Sequence, residues 1–315
     1  MRALVTGGAG FIGSHIVEAL LAEGHEVAVL DDLSSGRREN VPNGVKFYEL
    51  DLRDREATRK AVLEFRPDAV SHQAAQASVS VSVREPRLDA EINVLGGLSL
   101  LDACTQSGVS VQRVVFASTG GAIYGEVPEG TRATESTRPQ PISPYAIHKL
   151  TFEQLLAVYQ THRGLASTVL RYANVYGPRQ DPHGEAGVVA IFFASVLAGK
   201  GLRINGRTRA GDDGCVRDYV YVSDVARLNA LAIGGRVTDR FVNAGTGKTV
   251  TTRELATTIM SITGRSVALE PSAPRAGDLE RSVLDPTLTL RYLERLVDLS
   301  EGMAKTHAFY ASKRG

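Results

Sequence analysis

Tyr145 and Lys149 stand four residues apart in Ser143-Pro144-Tyr145-Ala146-Ile147-His148-Lys149, a stretch that reads as the start of a helix. Residues four apart share one helix face. A free phenol, with a pKa near 10, is about a thousandth ionised at neutral pH and makes a poor base. A cation roughly 6 Å away favours the phenolate by about 2.8 kcal/mol at an effective dielectric near 20, equivalent to about two pKa units. The pair therefore suits general acid–base work on a hydroxyl. The same spacing is common on ordinary helices, so a second signal is needed.

Thr6-Gly7-Gly8-Ala9-Gly10-Phe11-Ile12-Gly13 supplies it. The run follows an apolar strand and opens a helix, the context in which such glycines bind a dinucleotide. Gly7 permits the tight turn, Gly10 lets backbone approach a pyrophosphate, and Gly13 lets helix pack against strand. The helix N-terminus adds unpaired N–H groups and partial positive charge. Asp31 ends the second apolar run, 18 residues beyond Gly13, where a ribose-binding acid belongs. Asp31 with Asp32 would repel a 2′-phosphate, which favours NAD over NADP; Arg37 and Arg38 weigh the other way. A nicotinamide cation near Tyr145 would add to the effect of Lys149.

The elements needed to position these residues are legible in the first half of the chain. Apolar runs at 3–6, 27–30, 69–72 and 111–117 alternate with helical spacing at Ile12, Ile16, Ala19 and Leu20, at Ala57, Ala61 and Val62, and at Leu88, Ile92, Leu95, Leu98 and Leu101. That rhythm predicts an α/β fold with a doubly wound parallel sheet. A helix over 144–162 and a strand over 167–171 extend it. Beyond 171, Gly and Pro cluster at Gly177-Pro178 and Asp181-Pro182-His183-Gly184, followed by a helix-like 188–197 and a polar 205–214. The expected division is a nucleotide-binding domain over 1–175 and a smaller C-terminal substrate lobe over 176–315, with the chain crossing back to the first domain. Long loops of this kind usually carry function.

Composition narrows the class. Lys and Arg number 36 against 35 acids, so no basic excess points to nucleic acid or a membrane surface. No run approaches the roughly 18 apolar residues of a membrane span. Two cysteines, Cys104 and Cys215, are too few for a disulfide framework or a cysteine metal site. The seven histidines show no metal spacing, and no metal is expected. His183, in the Pro–Gly loop, is a candidate substrate contact as well as a solvated side chain. The expectation is a cytoplasmic protein.

The opening Thr-Gly-x-x-Gly-x-x-Gly with Tyr-x-x-x-Lys resembles the extended short-chain dehydrogenase/reductases, most closely the UDP-glucose 4-epimerase family. Further matches lie at 31–36, 51–52, 72–76, Asn93, 118–125, 171–180, 216–220 and 275–278. The resemblance implies a Rossmann-type homodimer with tightly held NAD that interconverts UDP-glucose and UDP-galactose. It assigns the cofactor to Gly7, Gly10, Phe11, Ile12 and Gly13; to Asp31, Asp32, Ser34 and Gly36, with Asp31 and Ser34 at the adenosine ribose; and to Asp51 and Leu52 at the adenine. Gln73, Ala74, Ala75, Gln76, Asn93, Tyr145, Lys149 and Tyr172 complete that set. C4 epimerisation also needs a hydroxyl near O4. The family often has a serine five before the glycine of its Tyr-Gly, a place held here by Gly120; allowing one inserted residue assigns the role to Thr119, with Ser118 in reserve. Related 4,6-dehydratases carry an acidic pair after this threonine, where Gly120 and Gly121 stand here.

The resemblance also assigns a UDP-sugar site. Arg217 and Arg275 match diphosphate-binding arginines, Asp278 their partner acid, Asn174 a substrate-contacting asparagine, and Val189 a residue backing the uridine. Arginine suits the diphosphate because its planar fork donates several hydrogen bonds at once. Ser282 stands where the family has either an aromatic or a small side chain beside the hexose, so N-acetylated UDP-hexosamines are expected to fit. Gln73 and His148 depart from the family pattern, replacing an apolar residue and a serine. The readings left open are a C4-epimerase of another nucleotide sugar such as a UDP-uronate, a net dehydrogenase, and a non-catalytic NAD-binding regulator.

Overall fold

Most of the parallel strands are buried apolar runs. In the computed structural model, which describes residues 1–183, 187–275 and 277–312, these are β1 (Arg2–Thr6), β2 (Glu26–Asp31), β3 (Lys46–Glu49), β4 (Ala69–His72), β5 (Arg113–Thr119) and β6 (Ala166–Tyr172). Gly184 of the Pro–Gly loop and Ala276 of the 275–278 match lie outside the described residues. Four short strands follow, β7 (Asn174–Tyr176), β8 (Leu202–Asn205), β9 (Val216–Arg217) and β10 (Tyr219–Tyr221), before β11 (Phe241–Ala244) joins the main sheet. Its order is β3-β2-β1-β4-β5-β6-β11. The pairs β1–β2, β1–β4, β2–β3 and β4–β5 all run parallel. This is the expected doubly wound, Rossmann-type fold, and its order reverses direction at β1 and β4, where such folds bind ligands beyond the strands' carboxyl ends.

The helices over this span are, in chain order, α1 (Phe11–Ala22), α2 (Arg55–Phe65), α3 (Val79–Arg84), α4 (Pro86–Ala90), α5 (Gly97–Cys104), the short α6 (Gly120–Ile123) and α7 (Pro144–Arg163). Leu4, Leu30, Val62, Phe65, Val70, Leu100, Leu101, Val114, Phe116, Phe152 and Leu156 form one buried cluster between the sheet and α2, α5 and α7. Gly97 permits close packing there: a Cβ on it would collide with the Phe152 ring.

Two differences from the expected elements bear on the site. The strand expected at 111–117 runs instead from Arg113 to Thr119, because the polar Ser118 and Thr119 are buried like the apolar residues before them. The single helix expected through Leu88–Leu101 is α4, then a wide π turn over Glu91–Gly96, then α5. A π segment inserts a register change that often presents a functional side chain; here it carries Asn93.

The chain divides into two compact units. The first comprises Met1–Thr119, Pro141–Arg171 and Val225–Val242; the second Gly120–Gln140, Tyr172–Asp224 and Asn243–Gly315. Within the second, β7 pairs with β10, and β8 pairs with β13 (Leu269–Ser272); β9 lies between β12 (Val250–Thr251) and β14 (Arg281–Ser282).

Candidate active site

The glycine loop leaves β1 at Thr6 and is closely packed at each glycine but one. Gly7 takes φ +67°, and a Cβ on it would lie 2.6 Å from the Ala74 nitrogen. A Cβ on Gly8 would meet Val29 at 2.8 Å, and one on Gly13 would collide with the Gly7 carbonyl oxygen. Around Gly10 a Cβ would meet only that same oxygen, at 3.2 Å. The helix it caps, α1, has no side-chain cap and no acid in its first turn, which comprises Phe11, Ile12 and Gly13. An open glycine face beside uncapped helix N–H groups fits a pyrophosphate. These residues therefore suit a dinucleotide on their own geometry.

Asp31 ends β2 almost fully buried. Its Oδ2 accepts from the Ala9 N–H and its Oδ1 from the Leu33 N–H, each at 2.9 Å. Burial raises its pKa against the pull of those donors. A Cβ on Gly36 would lie 2.7 Å from Asp31 Oδ1, so Gly36 keeps that carboxylate approachable. Asp32 accepts from both the N–H and the hydroxyl of Ser34. Asp51 is turned to Arg53, accepting from its N–H and guanidinium, and that bonding holds its carboxyl below the usual range. Leu52 beside it is buried.

Across β1, residues 73–76 leave β4. Ala74 N–H donates to Thr6 Oγ1 at 3.3 Å, and Gln73 Nε2 donates to Ser71 and Asn229. Ala75 is half-buried in the same turn. Asn93, on the π turn, pairs with both backbone groups of Gln76: its Oδ1 accepts from the N–H at 3.1 Å and its Nδ2 donates to the carbonyl at 2.9 Å. Asn93, expected beside the cofactor, thus braces the backbone of the 73–76 turn.

Tyr145 and Lys149 lie on the first two turns of α7, which Ser143 caps by accepting from Ala146 N–H. Lys149 is buried, with its Nζ 5.8 Å from the Tyr145 ring centre and 4.9 Å from that of Phe116. It donates to the Ala117 carbonyl at 3.0 Å. The Ala117 carbonyl and the Phe116 ring face help to hold the cation in place. Burial, reinforced by the Lys149 charge, pushes the pKa of His72 down to about 3, so this imidazole stays neutral. It shares a 2.8 Å hydrogen bond with the Thr6 hydroxyl.

Ser118 and Thr119, at the end of β5, differ in their commitments. Ser118 Oγ donates to Glu153 Oε1 at 2.6 Å, and Glu153 receives Arg171 through Nε at 3.0 Å and through Nη2 at 2.6 Å. All three residues are buried. The Thr119 hydroxyl bonds to no other described residue. Sequence reading missed Glu153, although it stands four after Lys149 and eight after Tyr145, on the same helix face.

The remaining candidates, Tyr172 at the end of β6 among them, belong to the second unit. Asn174 on β7 donates from both its backbone N–H and its Nδ2 to the Asp218 carbonyl. Arg217 on β9 lies in register with Ser282 on β14, and its guanidinium donates to the carbonyls of Val216 and Leu279. Arg275 and Asp278 are exposed in one turn, closed by Asp278 N–H to the Arg275 carbonyl with Gly277 at φ +83°. Burial raises the Cys215 thiol pKa, with Arg217 pulling it down and Asp278 pushing it up. Val189 is buried on the helix Val188–Leu197 and Ser282 is buried on its strand; His183 is exposed. Asp218, unremarked in the sequence, is a buried hub that accepts from Thr246, Gly247 and Leu284. A cavity of about 1350 Å³ in this unit, lined by Arg132, Arg207, Lys248 and Arg281 among others, includes none of the expected substrate residues.

Among the described residues no cluster of His, Cys, Asp and Glu could hold a metal ion, and no helix is long and apolar enough to cross a membrane.

Residues 3–245 match the NAD dependent epimerase/dehydratase family. The UDP-glucose 4-epimerase of Mycolicibacterium smegmatis is 44% identical over 320 residues, covering 99% of each chain. Among solved structures, the Thermus thermophilus UDP-glucose 4-epimerase in complex with NAD is 57% identical, with a TM-score of 0.94 over 99% of both chains. The Thermotoga maritima UDP-glucose 4-epimerase with UDP-glucose is 44% identical, with a TM-score of 0.92 over 100% of both.

Proposed function

Because the chain belongs to the NAD dependent epimerase/dehydratase family, we infer that it is an NAD-dependent UDP-glucose 4-epimerase. The observation that carries this reading is the Tyr145–Lys149 pair, set beside the Thr119 end of β5 in the unit that also holds the glycine loop. Bound NAD supplies the acceptor, and then the donor, of the hydride at sugar C4. The chain's own residues handle the proton. Tyr145 takes it from the O4 hydroxyl, and the fixed cation of Lys149 favours the phenolate this requires. Thr119 offers its uncommitted hydroxyl to O4, steadying the transfer. The proton returns from Tyr145 once the ketosugar has presented its other face.

A sugar that must turn over cannot be gripped along its length, so binding falls to the nucleotide. Arg217 and Arg275 are assigned to the diphosphate, with Asp278 orienting them, and Asn174 and Val189 to the sugar and uridine ends. Gly120 and Gly121 begin α6 with no side chain to transfer protons, which favours epimerisation over elimination. The first unit is assigned to the cofactor and the second to the UDP-sugar. Ser282, in register with Arg217, favours a second substrate pair, the N-acetylated UDP-hexosamines, because a serine there leaves room beside the hexose.

The assembly is read as a homodimer. Val79 on α3, Val83 on the same helix, Leu95 on the π turn, and Ile147 and Val158 on α7 are large apolar side chains between 38% and 63% exposed. Leu95, Ile147 and Val158 sit on the helical stretches around 88–101 and 145–159, whose pairing between protomers the family resemblance implies, and Val79 and Val83 lie on α3 just before the first. A cytoplasmic setting suits the two unpaired thiols, Cys104 and Cys215.

The test is incubation of purified protein with a panel of UDP-sugars and no added NAD, with C4 inversion as the readout. Inversion of UDP-glucose is expected, and Tyr145→Phe should abolish most turnover while UDP binding persists. Accumulation of NADH in proportion to product would identify a dehydrogenase instead. Bound NAD without any conversion would identify a regulator.

A further inference from the structure

Asp89 is the most enclosed carboxylate of the first unit outside the site described, with no side-chain exposure. It lies on α4, and each of its oxygens is taken by a different part of that site. Oδ1 accepts from Gln76 Nε2 at 2.5 Å, and Oδ2 lies 2.5 Å from His148 Nδ1. Gln76 belongs to the 73–76 turn, whose backbone Asn93 already clamps. Its own Oε1 accepts from Ser78 N–H at 2.6 Å, so the amide has a defined orientation. His148 stands on α7 immediately before Lys149 and three residues after Tyr145. One buried carboxylate therefore joins the cofactor-lining turn to the helix that carries the acid–base pair.

We propose that Asp89 and His148 are positioning residues, which hold the 73–76 turn and the Tyr145–Lys149 helix at one fixed separation through the chain Gln76–Asp89–His148. The inference rests on the epimerase reading and deepens it. The hydride leaves sugar C4 and the proton leaves its oxygen for two separate partners, one set by the turn and the other by the helix. Slack of an ångström between the two costs rate far more than binding, because the effect falls on the reacting geometry. A buried carboxylate suits such a tie because it tolerates no loss of a donor, so both partners are held against it. His148, which replaces the serine common in the family, reaches Asp89 with a ring nitrogen whose place an asparagine amide nitrogen reproduces.

The experiment compares His148→Ala with His148→Asn in the full-length protein. For His148→Ala, kcat for UDP-glucose should fall by about tenfold or more, KM should stay within about twofold, and NADH should dissociate several times faster, as followed by its fluorescence. His148→Asn should return all three values to within about threefold of the parent, because the donor to Asp89 Oδ2 is restored. Equal losses in the two variants, an unchanged kcat in His148→Ala, or a change confined to KM would overturn the proposal. Circular dichroism melting of each variant identifies simple misfolding, and the asparagine variant then decides the matter. If the parent protein does not epimerise, the functional reading fails, while the NADH dissociation rates still test the coupling on their own.

Discussion

Ser118 and Thr119 are adjacent hydroxyls with opposite prospects. Removing the Ser118 hydroxyl takes one hydrogen bond from the buried Glu153 carboxylate, which keeps Arg171, so Ser118→Ala should cost about 1–3 kcal/mol in a denaturation experiment and leave most of kcat intact. Thr119→Ala should leave the melting temperature nearly unchanged and lower kcat by about a hundredfold, with UDP binding retained. The opposite pattern would transfer the catalytic role to Ser118. His72 gives a pH signature at the same scale. Its folded-state pKa of about 3 lies below the 6.5 of the unfolded chain, so the unfolded state alone takes up a proton as the pH falls through 6.5. Stability should therefore begin to fall below pH 6.5, before most carboxylates titrate. His72→Asn should flatten that part of the curve in urea titrations between pH 6.5 and 5; parallel curves would rule out a neutral buried imidazole.

At the scale of elements, the glycine loop and α1 act as one cradle in which each glycine answers to a different neighbour. A Cβ on Gly13 would have to displace the Gly7 carbonyl, so Gly13→Ala should cost about 1–3 kcal/mol of stability and release NAD. At Gly10 the only close neighbour is that same carbonyl at 3.2 Å, and Gly10→Ala should fold with a near-parent melting temperature but bind NAD about tenfold more weakly or worse. Thermal melts combined with NADH fluorescence titrations separate these outcomes. The π turn is the complementary device on the far side of β1. It presents Asn93 to both backbone groups of Gln76, a match that depends on the register change between α4 and α5.

At the scale of the whole molecule, the homodimer reading is the one that covers the exposed Val79, Val83, Leu95, Ile147 and Val158 of α3, the π turn and α7. Sedimentation at micromolar concentration should give a dimer, and Val158→Glu, at a side chain 50% exposed, should shift it to monomer while leaving the isolated fold intact. A monomeric parent would contradict the assembly. The helix that carries Ile147 and Val158, α7, also carries Tyr145 and Lys149, so the monomeric variant should be measured for turnover as well as for mass.

Periodicity alone determined the parallel sheet, the place of the glycine loop between β1 and α1, and the shared face of Tyr145 and Lys149. Each of these follows from backbone geometry within a span of a few residues, where spacing in sequence is spacing in space. Tertiary structure decided the rest. β3 is polar at its ends and half-buried, and β11 enters the sheet from far along the chain, so neither has a strong local signal. Which hydroxyl is spoken for depends on Glu153 and Arg171, and the orientation of Gln76 depends on Asp89 and Asn93. These partners lie on separate elements, and a buried charge finds its partner only when packing excludes water from both.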